Sequence, residues 1–237
     1  MLIHLTPISL LIATAYANTE KAIFLGPATV NIPSTHPTLD DLHVDILTPS
    51  DSTIRTHLEA QFSNASLPHG KATWLILDQL TEGQRYEVRV CWAATQPTAF
   101  KLATYELQAV FETPDLISEL SEYSWSRQSL EGDHESQGES ATDPQASSSE
   151  REASVLFLQI LAAADYYTMN KTLMRDVPPV YVDIILDPFV FNILPRSLVP
   201  TVGYIVVVAI ASWFISRHIS IWIRNAAAET TREKKTQ

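Results

Sequence analysis

Short segments of alternating apolar and polar residues dominate the first half of the chain. Residues 54–62 alternate over nine positions, residues 86–92 over seven and residues 42–46 over five, with further short apolar runs at 22–25 and 74–77. A last strand or strand pair falls within 100–111, where the register is ambiguous. Period-two alternation is typical of strands with one buried face. We therefore predict an all-β sandwich over residues 18–115.

The segment 77–90 resembles the turn into strand F of fibronectin type III domains. In both, a leucine precedes a glycine turn and a tyrosine opens an alternating strand, here Leu80, Gly83 and Tyr86. The resemblance implies that the sandwich is of the fibronectin III or immunoglobulin-like class, with a tyrosine corner at Tyr86 in which the ring is buried and the hydroxyl returns to the backbone. An ordinary antiparallel hairpin is the alternative interpretation.

Residues 116–153 differ in composition from what precedes them. They are rich in Ser, Glu, Asp and Gln. Such a segment buries too little apolar surface to offset the entropy of ordering the chain. We predict an acidic disordered linker.

Residues 154–197 are apolar again, chiefly at 156–167 and 180–194. The first stretch is too short to cross a membrane as a helix, and Asp183 and Asp187 oppose insertion of the second by about 2.5–3.5 kcal/mol each. We predict juxtamembrane α segments, which either pack on the sandwich or bind a partner close to the bilayer.

We favour the partner, because these segments lie between a linker and a membrane helix. Four aromatic side chains are the candidate anchors, and the two aspartates are expected to meet donors on the partner or on lipid headgroups. The candidate anchors are Tyr166, Tyr167, Phe189 and Phe191.

A charge-free run of 18 residues begins at Leu198 and ends at Ile215. As a helix it spans about 27 Å, which is close to the thickness of a bilayer core. We predict a transmembrane helix over 198–216 and a cytosolic tail over 217–237.

The two ends of the chain carry addressing patterns. Residues 1–17 end in Ala15-Tyr16-Ala17, a signal-peptidase pattern, although no basic residue precedes the apolar stretch. The tail after Ile215 is net basic, whereas the rest of the mature chain is strongly acidic. The positive-inside rule and a cleaved signal both predict a single-pass type I protein with a lumenal N-terminal domain.

Two further patterns point to the endoplasmic reticulum. Lys234 and Lys235, at −4 and −3 from the C-terminus, resemble a dilysine retrieval signal that coat proteins read. The alternative is a basic flank of the membrane helix. Asn64 and Asn170 each begin an N-x-[ST] sequon on the expected lumenal side.

Composition argues against several classes of function. A net charge of −11 opposes nucleic-acid binding, and the chain has only six glycines and no phosphate-binding glycine motif. Neither GxSxG nor HExxH occurs, so we predict no catalytic residue, metal or cofactor. Cys91 is expected to be a covered, inert thiol, and the acidic and histidine residues at 36–43 to be a loop rather than a metal site.

The order of four segments along the chain resembles that of one fungal family. The segments are residues 18–27 directly after the signal, then residues 156–167, Val177-Pro178-Pro179, and Asp187-Pro188-Phe189 before a single C-terminal span. The family is that of the co-activator subunit of GPI mannosyltransferase II, and the resemblance covers the chain except the acidic linker. It implies a non-catalytic subunit in the endoplasmic reticulum membrane that stabilises or activates the multi-span enzyme adding the second mannose to the GPI precursor. No active-site residue can be carried over.

Two other interpretations remain open. A sandwich, one span and a dilysine tail also resemble the p24 cargo receptors, although the chain lacks their lumenal cysteine pair and a heptad run. The third interpretation is an accessory subunit of another endoplasmic reticulum membrane complex.

Overall fold

The computed structural model describes residues 18–33, 38–131 and 151–233. The helices and strands in these ranges are β1 (Asn18–Leu25), β2 (Val30–Ile32), β3 (Asp45–Leu47), β4 (Thr53–Leu58), β5 (Lys71–Leu80), β6 (Arg85–Trp92), β7 (Thr98–Glu106), α1 (Leu107–Glu112), α2 (Pro114–Glu131), β8 (Arg151–Ala164), α3 (Lys171–Arg175), β9 (Val180–Val190), β10 (Leu194–Pro195) and α4 (Val199–Glu233). Short 3-10 helices lie at Leu39–Leu42 and Arg196–Leu198. The chain divides into two compact units, one ending at Leu186 and the other beginning at Asp187.

The first unit contains two sheets. In the first sheet, β6 lies between β1 and β9, and β9 also pairs with β4. In the second, β8 pairs antiparallel with β2, β5 and β7, and β3 adds to β5 in the parallel direction. The prediction of a mostly β protein is therefore confirmed at the level of two sheets, one of them mixed.

The inward faces of the two sheets share the larger hydrophobic core. The first sheet contributes alternate residues of β6 and β9, among them Val88 and Ile184, and the second contributes Leu75 and Leu158. A second core lies around Trp74 and Phe157, where α1 and α2 cover the other face of the second sheet. Strands β5 and β8 contribute residues to both cores.

Strand β8 corrects the prediction of a juxtamembrane segment at 154–164. Its residues 153–160 are all buried, and it pairs along its length with β5 and β7. A strand that is covered on both faces reads as a continuous apolar run without alternation. The two-sheet fold therefore does not end near residue 115.

Strand β9 corrects the same prediction for residues 180–190. Val180, Val182 and Ile184 point into the core, whereas Tyr181 and Asp183 lie on the outer face. This is the alternation of a half-buried strand. Asp183 therefore occupies a polar position of a sheet and is not the polar residue of a helix near the bilayer.

Helix α2 corrects the first part of the predicted acidic linker. It begins at Pro114, immediately after α1, and its residues Leu116, Leu120 and Tyr123 pack against the second core. These residues are spaced at i, i+4 and i+7, which places them on one helical face. Residues 132–150 of the expected linker lie outside the described residues.

Strand β7 is also shorter than the segment expected at 100–111. It ends at Glu106, and α1 follows with Val110 buried in the second core. The apolar residues at the end of that segment therefore belong to a helix, which explains why no single strand register fitted the whole segment.

The hydroxyl of Tyr86 makes the predicted return to the backbone. The side chain is fully buried, and its Oη accepts a hydrogen bond from the Thr81 backbone N–H at 2.9 Å and donates to Gln84 Oε1 at 2.9 Å. Gly83, with a φ of 72°, makes the turn between Thr81 and Tyr86. This is the geometry of a tyrosine corner.

Gly70 and Gly83 provide a matched test of the packing between β5 and β8. Both have a positive φ, which disfavours any residue with a Cβ. A Cβ on Gly70 would lie 1.9 Å from the carbonyl oxygen of Ala162 in β8, whereas a Cβ on Gly83 meets nothing within 4 Å. Only Gly70 therefore combines backbone strain with a clash against a central strand.

We expect Gly83→Ala to cost about 1–2 kcal/mol of unfolding free energy, from strain alone. Gly70→Ala should cost about 2–5 kcal/mol, because the clash adds to that strain. The measurement is thermal or denaturant unfolding of the full chain in detergent. Equal losses for the two variants would show that β8 does not lie against Gly70.

Candidate interaction surface

The helix α4 is the longest element of the chain. It contains 35 residues, and its apolar side chains are exposed in the described range, including Tyr204, Val207 and Trp222. Among the described helices it alone is long and apolar enough to cross a membrane, over residues 196–225. This agrees with the span predicted from residue 198, and the helix continues well beyond residue 216.

The carboxylate of Asp187 fixes the backbone just before α4. Both its oxygens accept from the Ser197 backbone N–H, at 3.2 and 3.3 Å, and the side chain is buried. Ser197 lies in the 3-10 helix that leads into α4, where backbone N–H groups lack partners within the helix. Asp187 therefore meets a donor in its own chain, which corrects the expectation of a donor on a partner or a headgroup.

Between these two residues, β9 and β10 form a tight hairpin. The Ile193 N–H donates to the Val190 carbonyl at 3.1 Å, and the central residues Phe191 and Asn192 have φ values of 53° and 58°. Positive φ at both central positions is the signature of a type I′ turn. We call residues 191–193 the hairpin tip, in which Phe191 is 90% and Ile193 80% exposed.

A second exposed apolar surface lies in the first unit, on residues 165–179 between β8 and β9, which we call the 165–179 segment. Tyr167 is 82% and Met169 86% exposed, and the two side chains touch, with the Tyr167 Oη 3.8 Å from the Met169 sulfur. Leu173, at the centre of α3, is also exposed. The segment borders a groove of about 650 Å³ that residues 59–64 line on the other side.

The segment is held in place by Tyr166. Its ring packs edge-on against Phe62, with centroids 5.2 Å apart, and its hydroxyl donates to the Leu173 carbonyl at 3.0 Å. Asn170 begins α3, and its Oδ1 accepts from the Thr172 N–H at 3.0 Å. These bonds give a defined shape to the fifteen-residue connection between β8 and β9.

The structure separates the four aromatic candidates into two pairs. Tyr166 is partly buried and Phe189 only 7% exposed, so both rings serve the fold and neither is available as a protruding anchor. Tyr167 and Phe191 are exposed, and they lie in different units. Met169 and Ile193 were missed by the sequence analysis, although each follows an exposed aromatic by two residues.

The two sequons are both on the surface. The Asn64 side chain is exposed, and its Oδ1 accepts from the backbone N–H groups of Ser66 and Leu67 at 2.9 and 2.8 Å. These bonds use the amide oxygen, whereas an N-linked glycan is attached to the nitrogen. The predicted signal peptide at 1–17 and the dilysine pair Lys234 and Lys235 lie outside the described residues.

Arg55 and Asp183 form an ion pair on the outer face of the first sheet. Arg55 Nε and a second guanidinium nitrogen donate to the two carboxylate oxygens at 2.5 and 2.9 Å. The hydrogen bond from Arg55 lowers the pKa of Asp183, and the same bond raises the pKa of Arg55. Asp183 thus has its donor in β4, which corrects the expectation that it waits for a partner.

No arrangement of side chains in the described ranges resembles an active site. Groups of three or more metal-ligating side chains do not occur there. In the segment 38–43, Asp41 accepts from the Thr38 N–H at 2.6 Å and caps a 3-10 helix. Cys91 is partly covered, and its sulfur accepts from the Thr19 hydroxyl at 3.6 Å.

Comparison with known proteins identifies one family. Its model, described as GPI-mannosyltransferase II co-activator (Pga1), matches residues 8–219 of the 237-residue chain. That range includes both sheets, the 165–179 segment, the hairpin tip and more than half of α4. No curated protein and no solved structure matches the chain.

We expect the Arg55–Asp183 pair to stabilise the fold near neutral pH and to lose this effect in acid. Because the folded-state pKa of Asp183 is lowered, its contribution is complete above the ordinary carboxyl pKa of about 3.9 and is lost as the pH falls through the folded value. The effect is small, since both side chains are solvated. The measurement is a double-mutant cycle: the stability of the wild-type chain, Arg55→Gln, Asp183→Asn and the double variant is determined by thermal unfolding at neutral and at acidic pH. A coupling that persists in acid contradicts the assignment.

Proposed function

Because this chain belongs to the family of GPI-mannosyltransferase II co-activators, we propose that it is the non-catalytic subunit of that enzyme, which adds the second mannose to the GPI-anchor precursor. The family match over residues 8–219 is the observation that carries this conclusion. The family is one of co-activators and not of catalytic enzymes. Because its members are described as co-activators of this enzyme, the alternative of a p24-like cargo receptor is not favoured.

The proposed location is the endoplasmic reticulum membrane. α4 crosses it once, the signal at 1–17 is removed, and the two-sheet unit lies in the lumen. The apolar surface of α4 and the basic residues after Ile215 support this orientation. Coat proteins read Lys234 and Lys235 in the cytosolic tail and return the protein when it leaves.

The two-sheet unit is, on this proposal, a β-sandwich of the fibronectin III or immunoglobulin-like class. Its support is the core shared by the two sheets and the bond from the Thr81 N–H to the Tyr86 hydroxyl. In such a fold, residues that face neither the core nor a neighbouring strand are available for a partner.

The proposed partner is the multi-span catalytic subunit. A lipid-linked sugar needs a cavity between several helices, which the single apolar helix α4 cannot form. Contact with the partner is made by α4 within the membrane and by Tyr167 and Met169 on the lumenal side. With exposed fractions of 82% and 86%, these two side chains are the most exposed large apolar groups among the described residues of the first unit. Aromatic side chains of this kind frequently dominate interface energies.

We expect Tyr167→Ala to weaken the complex about thirtyfold, which corresponds to the loss of about 2 kcal/mol for a truncated aromatic anchor. The measurement is co-purification of the full-length chain with the catalytic subunit from detergent, over a range of concentrations. GPI precursors that carry a single mannose should accumulate in the same cells.

Trp125→Ala is the matched control, because Trp125 is an aromatic residue on helix α2 that is 74% exposed. It should bind the catalytic subunit normally. Normal binding by both Tyr167→Ala and Met169→Ala, with weakened binding by Trp125→Ala, would place the contact on α2 and refute the assignment to the 165–179 segment.

The topology predicts a glycan on Asn64. Removal of the glycan by endoglycosidase should increase gel mobility, and Asn64→Gln should abolish at least part of that shift. Ser66→Ala is the matched variant, because it destroys the sequon but retains the bonds from the Ser66 and Leu67 N–H groups to Asn64 Oδ1. An unglycosylated chain whose N-terminal unit is digested by protease in intact microsomes would exclude a lumenal location.

A further inference from the structure

The residue at the first central position of the hairpin tip is unfavourable for its backbone conformation. Phe191 has a φ of 53°, and bulky residues rarely occupy the left-handed region that Gly, Asn and Asp occupy readily. Its ring is 90% exposed, so packing within the unit does not compensate for the strain. Neither turn preference nor core formation therefore accounts for a phenylalanine at this position.

The hairpin tip lies close to the start of α4 in the second unit. Six residues lead from Ile193 to Val199, a path of at most about 20 Å when fully extended. The 3-10 helix Arg196–Leu198 shortens that path. The bond from the Ser197 N–H to Asp187 ties the first strand of the hairpin to the same point.

We propose that the hairpin tip inserts Phe191 and Ile193 into the interfacial layer of the bilayer that α4 crosses. The ligand is the phospholipid surface itself: acyl chains near the headgroups take the two apolar side chains, and phosphates meet the exposed guanidinium of Arg196. This inference rests on the proposed span by α4 and does not require the catalytic subunit.

The place of the apolar tip in the chain favours lipid over a protein partner. The tip ends only six residues before the helix α4 that is proposed to cross the bilayer. Two large apolar side chains are sufficient for insertion into an interface that the neighbouring helix already occupies.

The experiment places a nitroxide label on the full-length chain in phosphatidylcholine vesicles. Cys91, the one cysteine of the sequence, is first replaced by alanine. Labels are then attached one at a time through Ile193→Cys at the tip, Gly203→Cys within α4, and Glu82→Cys in the turn between β5 and β6. Collisions with oxygen, which concentrates in lipid, are compared with collisions with a water-soluble nickel chelate.

We expect the label at 193 to collide more with oxygen than with nickel, as the label at 203 does, and the label at 82 to show the reverse. Phe191→Ser in the Ile193→Cys chain should increase nickel collisions at least twofold. Phe191→Leu, which keeps an apolar side chain, should leave them nearly unchanged, and this separates loss of insertion from a general effect of substitution on the turn.

The controls distinguish the ways in which the proposal fails. A label at 203 in lipid with a label at 193 in water overturns insertion of the tip and leaves the span by α4 intact. Both labels in water overturn the span as well. A label at 193 that is shielded only after the catalytic subunit is added identifies the tip as a protein contact, which also overturns insertion into lipid.

Discussion

The fold depends on strand β8 being buried on both faces and paired on both edges. Its side chains at 156, 158 and 160 enter the core between the sheets, while Phe157 enters the core under α1 and α2. β5 and β7 satisfy its backbone groups, which would be costly to bury unpaired. Each core therefore needs the same fourteen residues. A chain cut after α2 would lose the centre of the second sheet, so the residues before 131 cannot form an independent domain.

Whether the sequence predicted a strand depended on whether that strand has one polar face. β4 and β6 have one polar face, so their alternation predicts them, and Tyr86 with Gly83 predicts the corner between β5 and β6. β8 is buried on both faces and therefore does not alternate. β9 lies between a predicted linker and a predicted membrane helix, a place that favours a membrane-proximal segment, and Asp183 and Asp187 argue only against a second span. α2 was not predicted because the composition was averaged over residues 116–153. The acidic and polar residues that follow the helix outweigh its few apolar residues in that average. α4 was predictable because a long charge-free run has few other uses.

Sequence alone does not distinguish the buried from the exposed aromatic residues of the candidate surface. Phe189 and Phe191 are two residues apart, so the period of a strand would place both rings on one face. The turn at 190–193 reverses the chain between them, which leaves Phe189 buried and Phe191 at the tip. Tyr166 and Tyr167 also differ in burial, because the ring of Tyr166 packs against Phe62, whereas Tyr167 is 82% exposed. Burial, which depends on distant strands, therefore decides which aromatic residues are available for binding.

A subunit without catalytic groups can change an enzyme only through differential binding. If it binds the active conformation of the catalytic subunit more tightly than the inactive one, it raises the active fraction by the ratio of those affinities. If it binds the folded enzyme but not the unfolded one, it raises the amount of enzyme instead. On the proposed arrangement, contact through α4 within the bilayer can stabilise the multi-span partner, whereas contact through Tyr167 on the lumenal side can favour one arrangement of the partner's lumenal loops. The two effects are separable, since the first changes enzyme abundance and the second changes turnover per enzyme.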